Sequence, residues 1–432
     1  MIPTAERYWL TNAHVPWSVL SLNDPTVTAK QTREGLCSVD LEIVDGNILQ
    51  IIPADSCDTE ETPTVNLRGG QVWPCFLDMH THLDKSHIWA RSPNPDGTFA
   101  SALETAKAYS QHYWQAEDVY RRMEFGIKCS YAHGTKAIRT HIDSFWEQGE
   151  ISLDVFKTLQ KTWADRVTLQ AVSLVTLDYY QTPEGVALAD QIAEVGGILG
   201  GVAYMHPDLD TQINTVFTLA KERGLNLDFH SDENGDPNSI CLQKIAKAVL
   251  RHEFTGQIVC GHCCSLAVQQ PEVVEKTLDL VKQVGIGIVS LPMCNLYLQD
   301  RKPNTTPRWR GVTLLNELKQ HGIAVTVASD NCRDPFYGFG DHDVLEVFTQ
   351  SVRIAHLDMP YGDWPCAVTK TAADLMGLPH VGRIGVGLPA DLIVFKGRSF
   401  SELLSRPQHD RIVLRNGKPI DTTLPNYAEL DD

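Results

Sequence analysis

An eight-stranded parallel (β/α)8 barrel of TIM type, accompanied by a small composite β-sheet domain from both chain ends, is the fold class this sequence predicts. Three observations point to it. Eight short β-branched or apolar runs alternate with longer helical patterns across roughly 300 residues, and βα alternation of that kind demands a parallel sheet. Both ends of the chain read as β, each with an Asp-Gly or Asn-Gly turn. Side chains able to bind a metal recur at the ends of the eight runs, where a barrel collects its active site.

Residues 1–73 form the first part of the β domain, with strands expected at Arg7–Asn12, Val39–Val44 and Ile48–Ile52. The last two flank Asp45-Gly46-Asn47, a hairpin turn signal, and Gly69-Gly70 closes the segment. Residues 74–378 form the barrel. Its strands are expected at Cys75–His80, Lys136–His141, Thr168–Val175, Gly197–Val202, Asn226–His230, Gln257–Gly261, Gly285–Ser290 and Ala324–Ala328. The intervening text has helical period, as in Ala116–Ala132 and Asp343–His356. A doubly wound sheet is the competing arrangement. After a helix near Ala367–Met376, residues 379–432 return to β at Leu392–Phe395 and Arg411–Arg415, followed by the turn Asn416-Gly417.

Composition narrows the function. The 432 residues are 43% hydrophobic and 21% charged, which are globular values that exclude disorder, collagen and coiled coil. Lys+Arg 37 against Asp+Glu 54 leaves a net charge of −17, so the averaged surface repels nucleic acid and anionic lipid. Eleven irregularly spaced cysteines fit a reducing cytoplasm better than a disulfide framework. The opening Met1-Ile-Pro-Thr-Ala-Glu-Arg7 is unlike a signal peptide, and no long uninterrupted apolar run occurs. The expectation is a soluble cytoplasmic protein whose partner is a small molecule, with self-association left open.

His80-Thr-His82 ends the first strand, and residues two apart on a strand share a face, so both imidazoles can reach one ion. His230 ends the fifth strand, His262 follows the sixth and Asp330 the eighth. Any one of these alone reads as a hydrogen-bonded structural residue; five at strand ends point to a metal. Three imidazoles and a carboxylate leave an open position for water, whose pKa falls toward neutrality on binding. Glu233, three residues beyond His230, is placed to carry protons, and His262 could either ligate or hold the water. The Cys260-x-x-Cys263 pair lacks a second pair at zinc-ribbon spacing and reads as buried strand thiols. Gly385-x-Gly387-x-x-Ala390 precedes a strand instead of opening a helix, so it reads as a turn.

Pro74-Cys-Phe-Leu-Asp-Met-His80-Thr-His82-Leu-Asp-Lys85, Arg139-Thr-His141-Ile-Asp143, His230-Ser-Asp-Glu233, Gly261-His262 and Ser329-Asp330-Asn331 together resemble the amidohydrolase superfamily, and within it the cytosine deaminase branch. The resemblance spans nearly the whole chain. It implies His80, His82, His230 and Asp330 as ligands of one zinc or iron ion, Glu233 as proton shuttle, and His262 with Asp330 as the groups that activate water. The binuclear branches carry a carboxylated lysine on the fourth strand, and Gly197–Val202 offers none. The implied reaction is hydrolytic deamination of an aminated nitrogen heterocycle, hydroxide formed at the metal attacking the ring carbon that bears the amino group.

Three departures concern the substrate. Thr176 stands where the branch has a glutamine, Asn331 where it has a second acid, and Phe336 where it has a tryptophan. They imply a pocket roomier and differently polarised than a cytosine site, with aminotriazine (ammelide-type), purine or pterin rings as alternatives. Arg139, His141 and Asp143 either line the pocket or form a strand-end salt bridge, and Lys85 either reaches substrate or pairs with Asp84. A barrel that has lost catalysis and serves as a scaffold is the reading of another class, against which the complete ligand set and Glu233 stand.

Overall fold

The computed structural model describes residues 2, 3, 5–21, 31–57 and 62–431; Met1 and Thr4 of the opening stretch lie outside them. All eight expected barrel strands form: β1 (Phe76–Thr81), β2 (Thr135–Asp143), β3 (Thr168–Leu174), β4 (Leu199–Ala203), β5 (Leu227–Ser231), β6 (Ile258–His262), β7 (Gly287–Ser290) and β8 (Val325–Val327). β1 to β3 make one ladder and β4 to β8 another. Parallel bridges Val172↔Ile198 and Thr81↔Asp330 join the two ladders into a closed ring. Helices separate the strands, and Ala116–Ala132 forms with the bounds its periodicity predicts.

The strands are apolar on both faces because the barrel interior and the helix layer bury both, as in the fully buried β7. Helix Cys241–His252 buries Cys241, Leu242, Ile245, Ala246, Ala248 and Val249, the spacing of one helical face. Helix Leu209–Arg223 stops at Gly224, which takes the left-handed cap with φ 63°. β4 carries Gly200 because a Cβ there would stand 2.3 Å from Val172 Cγ1 and 2.5 Å from the Asp228 carbonyl oxygen. No side chain, and so no lysine, fits at that point of the strand.

The chain separates into two compact units: residues 1–77, 130–136 and 344–424, and residues 78–129, 137–343 and 425–432. In the first, a four-stranded sheet has the order Asn47–Pro53, Leu36–Val44, Arg7–Pro16, Thr64–Asn66. A second has the order Lys418–Pro419, Ile412–Arg415, Leu392–Val394, Val72–Pro74, and Ile384–Gly385 pairs with Leu20–Ser21. Both chain ends thus contribute β structure as expected: N-terminal strands alone make the first sheet, and Val72–Pro74 and Leu20–Ser21 pair with C-terminal strands in the other two, around one apolar cluster including Leu10, Leu41, Ile384 and Leu392. The first strand runs past its expected end at Asn12, because Asn12 is absorbed as a bulge with φ 52°, its N–H donating to Asp40 Oδ1 at 2.8 Å. Among the described residues, no helix is long and apolar enough to cross a membrane.

Candidate active site

Parallel register brings the chemistry-bearing strand ends side by side. His230 lies opposite Gly261, and the next residue, Ser231, lies opposite His262. Gly261 also makes room, since a Cβ there would stand 2.9 Å from the His80 ring. At the closing seam, the Asp330 N–H donates to the His80 carbonyl at 2.8 Å and the Thr81 hydroxyl donates to the Asp330 carbonyl at 2.9 Å. Asp78, buried beneath them, accepts from both the N–H and the hydroxyl of Ser329. Asp330 (φ 64°) and His262 (φ 67°) hold left-handed backbone conformations, which cost of order 1 kcal/mol each and cluster at functional sites.

The result is a knot of four ligating atoms. His80 Nε2 lies 3.2 Å from His230 Nε2, which lies 3.4 Å from His82 Nε2. Asp330 Oδ1 lies 3.6 Å from His80 Nε2 and 3.2 Å from His82 Nε2. An ion held at about 2.0–2.1 Å from four tetrahedral donors sets those donors about 3.3–3.4 Å apart, and these four spacings are close to that edge length. The chemistry of the donors agrees. Burial, reinforced for each ring by neighbouring imidazoles or cations, holds His80, His82 and His230 well below the usual histidine pKa, which leaves neutral lone pairs for a metal. Burial and then Asp334 push Asp330 up to about 8, a penalty that a divalent cation against its oxygen removes. Its Oδ1 is buried with no hydrogen bond of its own among the described residues. The donors suit one divalent ion: His80, His230, His262 and Asp330 offer ligand atoms all within 4.8 Å of one another, and His82 adjoins them through His230 and Asp330.

Glu233 and His262 stand at the rim of this knot. Glu233 Oε1 is 3.4 Å from His262 Nδ1, and Asn295 Nδ2 lies 3.0 Å from the same ring nitrogen and 3.5 Å from the same carboxylate oxygen. With Nδ1 engaged by Asn295, the imidazole of His262 turns Nε2, buried without a partner among the described residues, toward the ligand cluster. Burial brings His262 down to about 3, and burial followed by the charge of Asp330 lifts Glu233 well above the usual carboxylate range. Asn295 is a residue the sequence reading missed. Its signal is Leu291-Pro292, since proline at the first position of helix Pro292–Leu298 places Asn295 one turn in.

The remaining candidates divide. Lys85 pairs with Asp143 at 2.8 Å instead of with its neighbour Asp84, whose Oδ2 accepts from the Asp143 N–H. The ammonium stands 5.3 Å over the Phe336 ring, a cation–π contact that places both at one wall. Asn331 donates from Nδ2 to Asp334 Oδ2 at 2.7 Å, which commits one of the two N–H donors that distinguish it from an acid. Arg139 forms a salt bridge, at 2.9 Å to Asp228, but in the barrel interior and not at a strand end, with both side chains buried. His141 lies against His80 with ring centroids 3.9 Å apart, beneath the ligand cluster. Thr176 bridges Val202 just beyond β3 and precedes the short turn Leu177–Gln181. Cys260, Cys263 and Cys264 are fully buried, in keeping with strand thiols.

A closed parallel barrel whose strand ends gather three imidazoles, a carboxylate and a rim glutamate defines a metal-dependent hydrolase. The family model for the amidohydrolase family matches residues 132–421, and the chain belongs to that family, hydrolases of C–N bonds. It is 49% identical over 431 residues to a pterin deaminase of Rhizobium rhizogenes, covering 99% of this chain and 97% of the relative. It is 23% identical to an N-isopropylammelide isopropyl amidohydrolase of a Pseudomonas species, over 82% of this chain and 87% of that one. Among solved structures, a 5-methylcytosine deaminase from Klebsiella pneumoniae superimposes with TM-score 0.80 at 24% identity, covering 96% of this chain and 97% of that one.

Proposed function

We propose that this chain is a metal-dependent deaminase of pterin-type rings, the observation that carries the substrate being 49% identity across 99% of the chain with a pterin deaminase. The coarser statement, hydrolytic deamination of an aminated nitrogen heterocycle, rests on the family and the fold. His80, His82, His230 and Asp330 hold the ion, zinc or iron by the character of the donors. A divalent ion there supplies Lewis acidity that brings the pKa of a water toward neutrality.

The reaction exchanges a C–NH2 bond for C=O, so protons must leave water and reach nitrogen. Glu233 is the group for that traffic. Its raised pKa lets it hold a proton at a carboxylate oxygen, deliver it to ring nitrogen, and pass the next one to the departing amine. His262, oriented by Asn295, presents Nε2 to the oxygen that becomes the product carbonyl. Lys85 with Asp143, and Phe336, form the wall that meets the ring, and Asn331 acts there through Asp334. Thr176, shorter than a glutamine, leaves space for a second fused ring. All eleven cysteines are free, which supports a reducing cytoplasm as the compartment.

The test is ammonia release from pterin, cytosine, 5-methylcytosine, an ammelide-type triazine and isoguanine. Pterin is expected to exceed each of the others in kcat/KM by at least about tenfold. Cytosine as the best substrate of that panel would overturn the reading.

A further inference from the structure

A second group of ligating side chains lies outside the site just described. His87, in the segment after β1, and Cys332 and His342, in the segment after β8, are all buried, at 5%, 2% and 2% exposure. One ligand atom of each lies within 4.8 Å of the other two. His87 Nε2 is 3.2 Å from His342 Nε2, the same spacing that separates His80 Nε2 from His230 Nε2. The two rings meet at 52°, with their centroids 5.3 Å apart. Glycine at 126 permits this close packing, since a Cβ there would stand 2.9 Å from Leu83 Cδ2 and 3.0 Å from His342 Nε2. Both histidines hold left-handed backbone, φ 63° and 54°, a conformation with a cost that something must offset. A hydrogen bond between the rings accounts for the 3.2 Å spacing alone; it does not account for a buried cysteine whose sulfur lies within 4.8 Å of a nitrogen of each ring.

From a buried cluster in which one nitrogen of each imidazole and the cysteine sulfur all lie within 4.8 Å of one another, we propose that His87, Cys332 and His342 form a second metal site that takes a zinc-class ion. Imidazole and thiolate are the donors that suit such ions, and this site uses sulfur where the first uses carboxylate. Three protein donors leave the fourth position to water, and the part of the ion is positional. It ties the segment bearing Lys85 to the segment bearing Asn331, Asp334 and Phe336, so it fixes the wall that meets the ring without touching the reacting atoms. Binding removes the thiol proton, which passes to solvent.

Purified full-length protein saturated with zinc and then desalted is expected to hold about two ions per chain, and Cys332→Ser or His87→Ala about one. Cobalt loading separates the sites, because only the second has a sulfur ligand. A near-ultraviolet sulfur-to-cobalt charge-transfer band is expected in the wild type and in His230→Ala, and is expected to vanish in Cys332→Ser. Cobalt-loaded wild type without that band, or zinc-saturated wild type with about one ion per chain, would overturn the proposal. Both readouts use the wild-type protein, so a variant that fails to fold leaves the test intact. A deaminase of some other ring with two ions would refute the pterin reading and keep this one.

Discussion

In the unit formed by the terminal strands, inward-facing side chains are overwhelmingly apolar: Leu10, Val39, Leu41, Ile43 and Leu392 are buried at 1% exposure or less. The buried carboxylate Asp40 is satisfied by the backbone N–H groups of Asn12 and Ser56. At the barrel rim, His80, His82, His230, His262 and Asp330 are just as deeply withdrawn, at 5% exposure or less, yet several of their polar atoms have no protein partner among the described residues. Each such atom costs about 1–3 kcal/mol; the terminal unit holds scattered ones, such as Glu42 Oε2 and Gln71 Nε2, whereas the rim gathers several in one cluster. The first region gains from excluding water; the second withdraws polar groups from water so that an ion and a substrate can take its place.

If that contrast is right, substitutions at the rim should change chemistry and leave folding nearly intact, and substitutions in the terminal unit should do the reverse. The largest effect is expected from His230→Ala, which removes a donor from the middle of the ligand knot. Ammonia release should fall to background, and elemental analysis should show loss of the ion held there. Glu233→Gln keeps the volume and removes the proton carrier, so kcat should drop by about 10²–10⁴-fold with metal content unchanged. Substantial remaining activity in that variant would move the shuttle to another carboxylate.

On the other side of the comparison, Leu41→Ala in the terminal unit should cost about 2–5 kcal/mol in denaturant unfolding, with KM and kcat as in the wild type. A kinetic change there would show that the two regions are not independent in function. The smallest effect is expected from Cys263→Ser. Its thiol is fully buried and burial holds it well above the usual thiol pKa, so it is not a nucleophile. Turnover should be unchanged and stability lowered by about 1–2 kcal/mol, mainly from placing a hydroxyl where a thiol packs.

Much of this molecule was legible before any coordinates. The eight barrel strands, helix Ala116–Ala132 and the five strand-end ligand candidates follow from local pattern, because side-chain period and strand ends are properties of a few adjacent residues. The hairpin at Asp45-Gly46 is of the same kind: its two-residue loop has φ 48° and 81°, the conformation those residues favour. What could not be read was which polar group meets which. Lys85 had Asp84 beside it and bonds Asp143, 58 positions away. Asn331 bonds Asp334, and Asn295 reaches His262 and Glu233 from a different strand's loop.

The sequence by itself therefore determined the βα order, the positions at which side chains able to ligate a metal occur and the absence of a lysine on β4. Those features are set by neighbours in the chain and by the identity of single residues. Only the tertiary structure decided that Val72–Pro74 receives the C-terminal strands, that Asn295 orients His262, and that His87 meets His342 across 255 positions. Such pairings depend on strand register and loop path to within an ångström, and hydrogen bonds and metal sites form only at that precision. A one-residue shift in either leaves the sequence pattern unchanged and separates the partners.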